Sequence, residues 1–296
     1  MKLEKEKILA LLSDEANEKA LFEQADKVRH EFVNKKVCGL IEFSNICRNN
    51  CCYCGLRRDN CKLNRYRLEP EELIETARKA AKNGFKSLVL QSGEDVYYSK
   101  DKFSHIIEEI KKFGVSIILS VGERTYAEYK AWREAGADGY LMRIETTDKE
   151  LYHRLDPGMS WQHRYECLLM LKELGYSLGS GIMVGLPGQS IESIANDLMF
   201  LKELGVSLSG IGPFIPHPQT PLANEKGGTL DLALRTMAVQ RLLMPNIDIP
   251  ATTAMEVLHP DGRKMALASG ANLFMTNATG ECRKLYDLYP GKTGVK

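Results

Sequence analysis

The sequence predicts a single α/β domain of the TIM-type (β/α)8 barrel kind, preceded by a helical lead-in. From about residue 36 onward, short β-rich apolar runs alternate with amphipathic helical segments, and eight such units fit within the 296 residues. We assign residues 1–35 to the lead-in and residues 36–296 to the barrel. The predicted strands are Val37–Phe43, Ser87–Gln91, Ser116–Ser120, Tyr140–Arg143, Gly181–Val184, Ser209–Pro213, Ile247–Ala251 and Ala271–Met275.

The helices between these strands are predicted from apolar residues at helical spacing. One such stripe comprises Phe103, Ile106, Ile107 and Ile110, and another comprises Ile191, Ile194, Leu198 and Leu201. The lead-in has a stripe of its own, made of Leu21, Ala25, Val28 and Phe32. We therefore expect the lead-in to be helical and to pack across the bottom or side of the barrel.

Composition excludes several functional classes. The chain carries 40 basic and 39 acidic residues, a balance that gives no electrostatic basis for binding nucleic acid or an anionic membrane. It has no apolar run near twenty residues, and it opens on a charged amphipathic stretch rather than a signal peptide. Eight dispersed cysteines do not form a secreted disulfide framework. We expect a cytoplasmic protein without a membrane or nucleic-acid partner.

Three cysteines follow the first predicted strand in a spacing typical of iron–sulfur sites. Cys47, Cys51 and Cys54 are separated by three and then two residues, and Tyr53 stands immediately before the last of them. A 4Fe-4S cluster normally takes four cysteine thiolates. Three thiolates from one loop, with no obvious fourth nearby, leave one iron open to an exchangeable ligand.

Zinc is the alternative ligand for closely spaced cysteines. A structural zinc site has four ligands, usually from two paired arms, and the second arm is missing here. Cys52 and Cys61 lie nearby, but Cys52 neighbours the other cysteines and would have to point away from an iron–sulfur cluster. The spacing favours iron–sulfur and leaves zinc as the alternative.

Polar residues stand at the carboxyl end of the second predicted strand, which is the side of a barrel where active sites form. Gln91, Ser92, Gly93, Glu94 and Asp95 follow one another there. Gly93 allows close backbone approach, and the two acids are acceptors suited to an ammonium group. The alternative is an ordinary Ser-Gly turn capped by acids.

Two charged residues mark the end of the fourth predicted strand. Arg143 and Glu145 are two apart and face the same side, which we expect to be the barrel interior. Buried charges are costly unless they are paired or bind a ligand, so a bracing ion pair is the alternative. Arg164 lies early in the following helix, where a guanidinium can reach a carboxylate but is more commonly a solvated surface group.

The later strand ends supply weaker signals. Met183 and Leu186 stand in the glycine-rich end of the fifth strand, which suits an adenine or an aliphatic chain but also plain barrel packing. Thr252, Thr253 and Met275 fall at the last two strand ends, where they line either a substrate pocket or the core. The histidine of a proline-rich loop, His217, is more often structural than catalytic.

Read together, these segments resemble the radical SAM superfamily and, within it, the HydE family of FeFe-hydrogenase maturases. The cysteine spacing with its aromatic residue is the superfamily signature, and the resemblance runs from about residue 20 to the end. Five blocks in the same order carry it: residues 44–60, 91–95, 184–189, 212–218 and 250–255.

The resemblance implies one 4Fe-4S cluster on Cys47, Cys51 and Cys54, with S-adenosylmethionine (SAM) on the open iron. It implies a second group of residues around SAM, namely Tyr53, Gln91, Gly93, Glu94, Glu145, Arg164, Met183 and Leu186. It implies a third group around the substrate, namely Ser92, Arg143, Thr252, Thr253 and Met275. The chain ends soon after residue 292, so we do not expect the second cluster that some HydE proteins carry on a C-terminal extension.

The implied activity is reductive cleavage of SAM to methionine and a 5'-deoxyadenosyl radical. In the HydE family the radical attacks a cysteine-bound iron–carbonyl–cyanide complex at sulfur, during assembly of the hydrogenase diiron site. The implied partners are an electron donor such as ferredoxin or flavodoxin and other hydrogenase maturases. A methylornithine synthase is the nearest alternative, and a non-catalytic iron–sulfur scaffold is the alternative from another class. Biotin-synthase chemistry fits poorly, because no cysteine stands at a later strand end.

Overall fold

A computed structural model of the chain describes residues 4–292. Within that range seven parallel strands alternate with eleven α-helices, and a short 3-10 helix follows the last strand. The strands are β1 Lys36–Ser44, β2 Ser87–Ser92, β3 Ser116–Ser120, β4 Gly139–Leu141, β5 Ser177–Val184, β6 Leu208–Pro213 and β7 Leu273–Asn277. The helices are α1 Lys5–Ser13, α2 Glu18–Phe32, α3 Pro70–Lys82, α4 Lys100–Lys111, α5 Tyr126–Glu134, α6 Lys149–Leu155, α7 Trp161–Glu173, α8 Ile191–Leu204, α9 Leu230–Leu243, α10 Thr253–Leu258 and α11 Gly262–Ala268.

The strands form one parallel sheet in the order β6-β5-β4-β3-β2-β1-β7. Each pair is in parallel register, for example Leu90 of β2 opposite Leu119 of β3. The helices cover the outer face, where the predicted stripe of α4 is fully buried. This arrangement confirms the TIM-type fold class, and it brings the carboxyl ends of all seven strands to one edge.

One predicted strand, Ile247–Ala251, is wrong as a regular strand. The segment makes only two isolated parallel bridges, between Leu208 and Asp248 and between Pro250 and Leu273. Pro250 has no N–H to donate, and the N–H of Ile249 donates to the side chain of Asn272 instead of a neighbouring strand (2.9 Å). The segment still connects β6 to β7, so the ring is closed by an irregular seam.

A fully buried arginine holds this seam. The guanidinium of Arg241 in α9 donates to the carbonyls of Gly270 (2.8 Å), Pro245 (2.7 Å) and Ile247 (2.7 Å). It also donates to the side-chain oxygen of Asn272 (3.0 Å). Burial lowers the pKa of Arg241 to about 10, which leaves the side chain charged at neutral pH. Side chains thus add to the few backbone bonds of the segment, such as that from the N–H of Asp248 to the carbonyl of Ser207 (2.9 Å).

The inside of the barrel begins with an apolar layer and becomes polar toward the carboxyl edge. The apolar layer consists of Cys38, Val89, Leu208 and Leu273, against which Leu40, Ile118, Leu141 and Met275 pack. The next inward-facing residues include Glu42 and Gln91, because side chains alternate along each strand. The interior of the barrel therefore has an apolar layer, which we call the floor, and a polar opening at the carboxyl edge, which we call the mouth.

The lead-in helices α1 and α2 pack on the outside of the barrel against α8 and α9. Leu21 and Ala25 join the main core, whereas Phe32, which we predicted to extend that stripe, is 46% exposed. Arg235 of α9 pairs with Glu15 and Glu18 of the lead-in. Because the two parts share one core, the boundary at residue 35 remains a prediction. None of the helices within residues 4–292 is both long and apolar enough to span a bilayer.

We expect Arg241→Ala to lower the free energy of unfolding by about 3–5 kcal/mol, since it leaves several buried acceptors without a donor. Denaturant unfolding followed by circular dichroism measures the change. Arg78→Ala is the matched control, because Arg78 is an exposed helix residue that pairs with Glu75 at 3.5 Å and lies 5.3 Å over the ring of Phe113, and we expect it to change stability by less than about 1 kcal/mol. Equal stability of the two variants would contradict the role given to Arg241.

Candidate active site at the carboxyl ends of the strands

The cysteine loop leaves β1 and is folded around one arginine. The guanidinium of Arg65 donates to the backbone carbonyls of Asn45 (2.7 Å), Leu56 (2.9 Å), Arg57 (2.6 Å) and Asn60 (3.3 Å). A planar fork with five donors can satisfy several carbonyls of a tight loop at once. Arg65 therefore holds the loop that carries the three predicted ligands, and sequence reasoning did not single it out.

The three predicted cluster ligands lie on one poorly solvated loop. Burial raises the pKa of the Cys51 thiol, and Asp156, Cys54 and Cys47 raise it further. Burial likewise raises the pKa of Cys54, with Cys47 as the next cause. The thiols therefore act on one another electrostatically. This agrees with a shared cluster site, and the ligand set stays a prediction.

Cys52 points away from this group. Its thiol lies 3.6 Å from the carbonyl of Arg154, and Arg57 and Asp156 are the charges that act on it. Within residues 4–292 no three His, Cys, Asp or Glu side chains converge where one metal ion would bind. A 4Fe-4S cluster takes its thiolates on separate irons, so it does not require three side chains to converge on one ion.

Gly93 lets the end of β2 pass directly beneath the cysteine loop. A Cβ at this position would lie 2.3 Å from the carbonyl oxygen of Ile46 and 2.8 Å from the Cβ of Cys47. The backbone N–H of the next residue, Glu94, donates to the thiol of Cys47 (3.4 Å). The close backbone approach predicted at Gly93 is therefore present, and the segment that approaches Gly93 is the cysteine loop.

The carboxylate of Glu94 does not offer the free acceptor that we predicted. One oxygen accepts from Nε of Arg48 (2.8 Å) and the other accepts from the backbone N–H of Glu123 (2.7 Å). Asp95 is likewise occupied by Arg67 and by Ser44 (2.7 Å). The two acids therefore connect the cysteine loop to the end of β2. Their burial is possible because a buried carboxylate is stable when it has partners of this kind.

Tyr53 anchors the loop to the end of α6. Its hydroxyl donates to Asp156 (2.9 Å), and the N–H of Cys52 donates to the carbonyl of Leu155 (2.7 Å). Met159 lies close by, with its sulfur 3.9 Å from that of Cys51. Asp156 and Met159 were missed, because a lone acid and a lone methionine carry no signal in sequence.

Tyr53 also belongs to a small apolar cluster with two other predicted cofactor contacts. Met183 and Leu186 pack there with Phe214, on the side of the site that adjoins β5 and β6. Gln189 fixes this turn, since its carbonyl oxygen accepts from the N–H of Gly185 (2.8 Å) and its amide donates to the carbonyl of Met183 (2.9 Å). Tyr53, Met183 and Leu186 are far apart in sequence, and in the structure they form one apolar wall of the site.

Arg143 and Glu145 lie just beyond β4, which ends at Leu141 rather than at Arg143 as predicted. Their side chains form an ion pair at 3.2 Å, and Glu145 has a φ of 65°, the only positive φ of a non-glycine residue within residues 4–292. Burial raises the pKa of Glu145, and Arg143 opposes that effect. Strained backbone held in place by its surroundings is common at functional sites.

Arg164 is buried and reaches the mouth of the barrel. Its Nε donates to Glu123 (2.6 Å), and another of its N–H groups donates to the carbonyl of Arg143 (2.6 Å). Glu123 and neighbouring tyrosines raise the pKa of Arg164, which therefore stays charged. Glu123 was missed by sequence reasoning, because it follows β3 without any motif.

The remaining predicted contacts are spread around the same rim. Gln91 donates weakly to Ser120 (3.4 Å), and Ser92 donates to the carbonyl of Gly93 (2.6 Å). Thr252 and Thr253 begin α10; the Thr252 hydroxyl is buried without a hydrogen-bond partner, and Thr253 pairs with Tyr289. A buried polar atom without a partner marks a place where a bound ligand can complete the hydrogen bonding.

Met275 departs from the group predicted around the substrate. It packs on the apolar floor, and it also lines a cavity of about 530 Å³ beside β7 with Arg263 and Arg283. His217 is buried and packs under Gly55 of the cysteine loop; its Nε2 donates to Asp287 (3.2 Å), and its Nδ1 accepts from the N–H of Gln219 (3.1 Å). Its surroundings agree with the structural role favoured for it.

Comparison with known proteins agrees with this geometry. The family model described as the radical SAM superfamily matches residues 41–237. The [FeFe] hydrogenase maturase subunit HydE of Thermotoga maritima is 53% identical over 96% of this chain and 82% of that protein. The chain belongs to the HydE family of the radical SAM superfamily. It is a SAM-dependent enzyme of a superfamily that carries a 4Fe-4S cluster.

Three further comparisons place the HydE-family chain among its neighbours. The 3-methylornithine synthase of Methanosarcina acetivorans is 35% identical over 90% of this chain and 76% of that protein. A crystal structure of methylornithine synthase, PylB, superposes with a TM-score of 0.85 at 30% identity, over 93% of this chain and 82% of that one. The maturase HydG of Carboxydothermus hydrogenoformans shares the fold, with a TM-score of 0.80 at 21% identity over 93% of this chain and 67% of that one.

We expect Gly93→Ala to reduce the iron bound per chain after anaerobic reconstitution by at least about half, because the added Cβ would displace the backbone beside Cys47. Colorimetric iron determination measures the loss, and circular dichroism checks that the variant is folded. Gly210→Ala is the matched control in β6, since its Cβ would meet nothing closer than 3.9 Å. Full iron content in Gly93→Ala would show that the loop tolerates the displacement.

Proposed function

We propose that this protein reductively cleaves SAM at a single 4Fe-4S cluster bound by Cys47, Cys51 and Cys54, as a maturase of the HydE type. The observation that carries the proposal is the cysteine loop at the end of β1, which Arg65 holds from within and which lies directly on Gly93, with the thiol of Cys47 accepting from the N–H of Glu94 (3.4 Å). Three protein thiolates leave one iron of such a cluster for SAM. The identity of 53% to a hydrogenase maturase supports the choice within the superfamily.

We propose that SAM lies across the rim from the cysteine loop to β5. Glu145 and Arg164 would take its amino and carboxylate groups, since they supply the two opposite charges that these groups need. Gln91 and the backbone at Gly93 would lie beside it, and the apolar wall of Tyr53, Met183 and Leu186 would cover its adenine and aliphatic parts. Glu94 would act indirectly, by holding the loop through Arg48.

When bound, the cluster and SAM supply a one-electron cleavage that yields methionine and a 5'-deoxyadenosyl radical. The chain's own residues confine the reaction. The apolar floor and wall exclude water, and the fixed charges of Arg143, Glu145 and Arg164 orient the bound groups before the reaction starts.

For the substrate we propose a small cysteine-derived complex of iron with carbonyl and cyanide ligands. Arg143 is the cation available for its carboxylate or cyanide, and Ser92, Thr252 and Thr253 are hydroxyl groups at the same rim. The buried, unpartnered hydroxyl of Thr252 supports a ligand at that position. Met275 would contribute only to the floor beneath the substrate.

A methylornithine synthase is the second candidate. The superposition on PylB and the identity of 35% to a 3-methylornithine synthase favour it over other superfamily activities. Such an enzyme would abstract hydrogen from lysine and rearrange its carbon skeleton. Incubation with lysine and SAM distinguishes the two, because formation of an isomer of lysine would replace the maturase assignment.

We expect the reconstituted, reduced protein to form 5'-deoxyadenosine from SAM and Cys54→Ala to form none, since the loss of one ligand removes the cluster. Anaerobic assay with chromatographic detection measures the product. Cys61→Ala is the matched control, because Cys61 is exposed and lies outside the thiol group. A protein that holds about four irons per chain yet cleaves no SAM would be a scaffold rather than an enzyme.

We expect Glu123→Gln to raise the KM for SAM about tenfold with a smaller change in kcat, because Glu123 positions the guanidinium of Arg164 through a charged hydrogen bond. Initial rates of 5'-deoxyadenosine formation separate the two constants. His163→Gln is the control, since His163 approaches the same carboxylate at 3.6 Å but is half exposed. An equal effect of the two variants on the KM for SAM would show that Glu123 acts through packing and not by positioning Arg164.

A further inference from the structure

A buried ion pair joins the first strand to Lys292, the last residue that the structure describes. Glu42 in β1 faces the barrel interior above the floor, since Cys38, four residues earlier on the same face of the strand, belongs to the floor. Lys292 donates to the carboxylate of Glu42 from 250 positions along the chain, and the two residues are 5% and 0% exposed. Burial lowers the pKa of Lys292, so its ammonium group depends on this carboxylate to stay charged. The link needs both members, because a buried charge that loses its partner is costly.

The segment that carries Lys292, residues 281–292, lies against the cysteine loop. The carbonyl of Leu288 accepts from the N–H of Gly55 (2.9 Å). The carbonyl of Leu285 accepts from the side-chain amide of Asn45 (2.7 Å). Asn45 precedes the three predicted cluster ligands in sequence, and Gly55 follows them. Segment 281–292 therefore contacts both ends of the stretch that carries these ligands.

The same segment reaches the residues proposed around the substrate. The hydroxyl of Tyr289 pairs with that of Thr253. Burial raises the pKa of Tyr289, whereas the hydrogen bond with Thr253 and the charge of Arg143 lower it. Arg143 therefore acts on Tyr289 electrostatically. One segment thus contacts the cysteine loop through its backbone and the proposed substrate residues through a side chain.

Side chains rather than ladder hydrogen bonds determine where this segment lies. Residues 286–291 form no helix or strand. The ammonium group of Lys292 lies 4.9 Å over the ring of Tyr286, which is 2% exposed. Arg283 donates to the carbonyl of Lys292 (3.4 Å) and approaches the carboxylate of Glu42 at 3.6 Å. Glu42 is therefore the acceptor around which the charged groups of the segment collect.

We propose that Glu42 and Lys292 are positioning residues for the reaction at this site. Their ion pair holds segment 281–292 in the barrel mouth, and the segment in turn holds the cysteine loop at Gly55 and the substrate side of the rim at Thr253. The inference rests on the proposed function for its effect on catalysis. The pair differs from a general brace, because its loss acts first on two places that are remote from it in sequence and belong to the site.

Hydrogen–deuterium exchange of the full chain, read by mass spectrometry, tests the link without an assay of activity. We expect Lys292→Met to speed exchange about tenfold in peptides that contain Gly55, because the segment that accepts from this N–H loses its anchor. We expect Glu42→Gln to have the same effect from the other side of the pair. Lys284→Met is the matched control, since the side chain of Lys284 lies in the same segment but is 73% exposed.

A second control separates this effect from a general loss of stability. Arg241→Ala removes a buried arginine from the seam beside β7, which is remote from segment 281–292 in its contacts. We expect it to lower overall stability and to leave exchange at Gly55 unchanged, because local opening of the loop does not require global unfolding.

Kinetics of the reconstituted protein give the catalytic readout. We expect Lys292→Met to lower kcat for 5'-deoxyadenosine formation about tenfold with little change in the KM for SAM, since the groups proposed to bind SAM, Glu145 and Arg164, are untouched. This division between kcat and KM is the reverse of the one expected for Glu123→Gln. A change confined to folding would lower the amount of active protein without reaching the exchange at Gly55.

Unchanged exchange at Gly55 in both Lys292→Met and Glu42→Gln would overturn the proposal. An equal acceleration in Lys284→Met or Arg241→Ala would also overturn it, because the effect would then not belong to the pair. Faster exchange with an unaltered kcat would show a structural link without a role in the reaction. If the reconstituted wild type cleaves no SAM, the proposed function fails, while the exchange data still decide whether the pair holds the cysteine loop.

Discussion

The contact between the end of β2 and the cysteine loop sets the geometry on which the rest of the site depends. Gly93 has no side chain, so the backbone of Ile46 and Cys47 can lie directly on it. That contact fixes the height of the loop above the barrel, and with it the distance from the three thiols to the rim where β4 and β5 end. Arg65 then fixes the shape of the loop itself from within.

A chain of charged groups, which are buried except for the half-exposed Arg48, extends the same geometry across the mouth of the barrel. Arg48 pairs with Glu94, whose second oxygen accepts from the backbone of Glu123, and the side chain of Glu123 pairs with Arg164. Each group is satisfied by the next, so a displacement at one member leaves a neighbour unpaired in a poorly solvated place. The cysteine loop and the cation at the opposite rim are thus coupled through hydrogen bonds rather than by chance proximity.

Alternating units along the sequence predict the barrel, which the structure confirms, whereas the cluster site predicted from the spacing of Cys47, Cys51 and Cys54 stays a prediction. The strand predicted over residues 247–251 is wrong because a proline and a side-chain acceptor interrupt its ladder and leave only isolated bridges, which a local apolar pattern does not reveal. Arg65 and Glu123 were missed for a related reason: their roles depend on partners far along the chain, and no local pattern encodes them.

Glu145 illustrates how the needs of a site and of a fold can oppose each other. A residue with a side chain is strained at a φ of 65°, by an amount of roughly 1–3 kcal/mol, and glycine would be relaxed there. Glycine, however, would remove the carboxylate that faces Arg143 at the rim. With the role proposed for Glu145, a more stable barrel would be a less competent one at this position, so adaptation to heat would have to find its gains elsewhere in the chain.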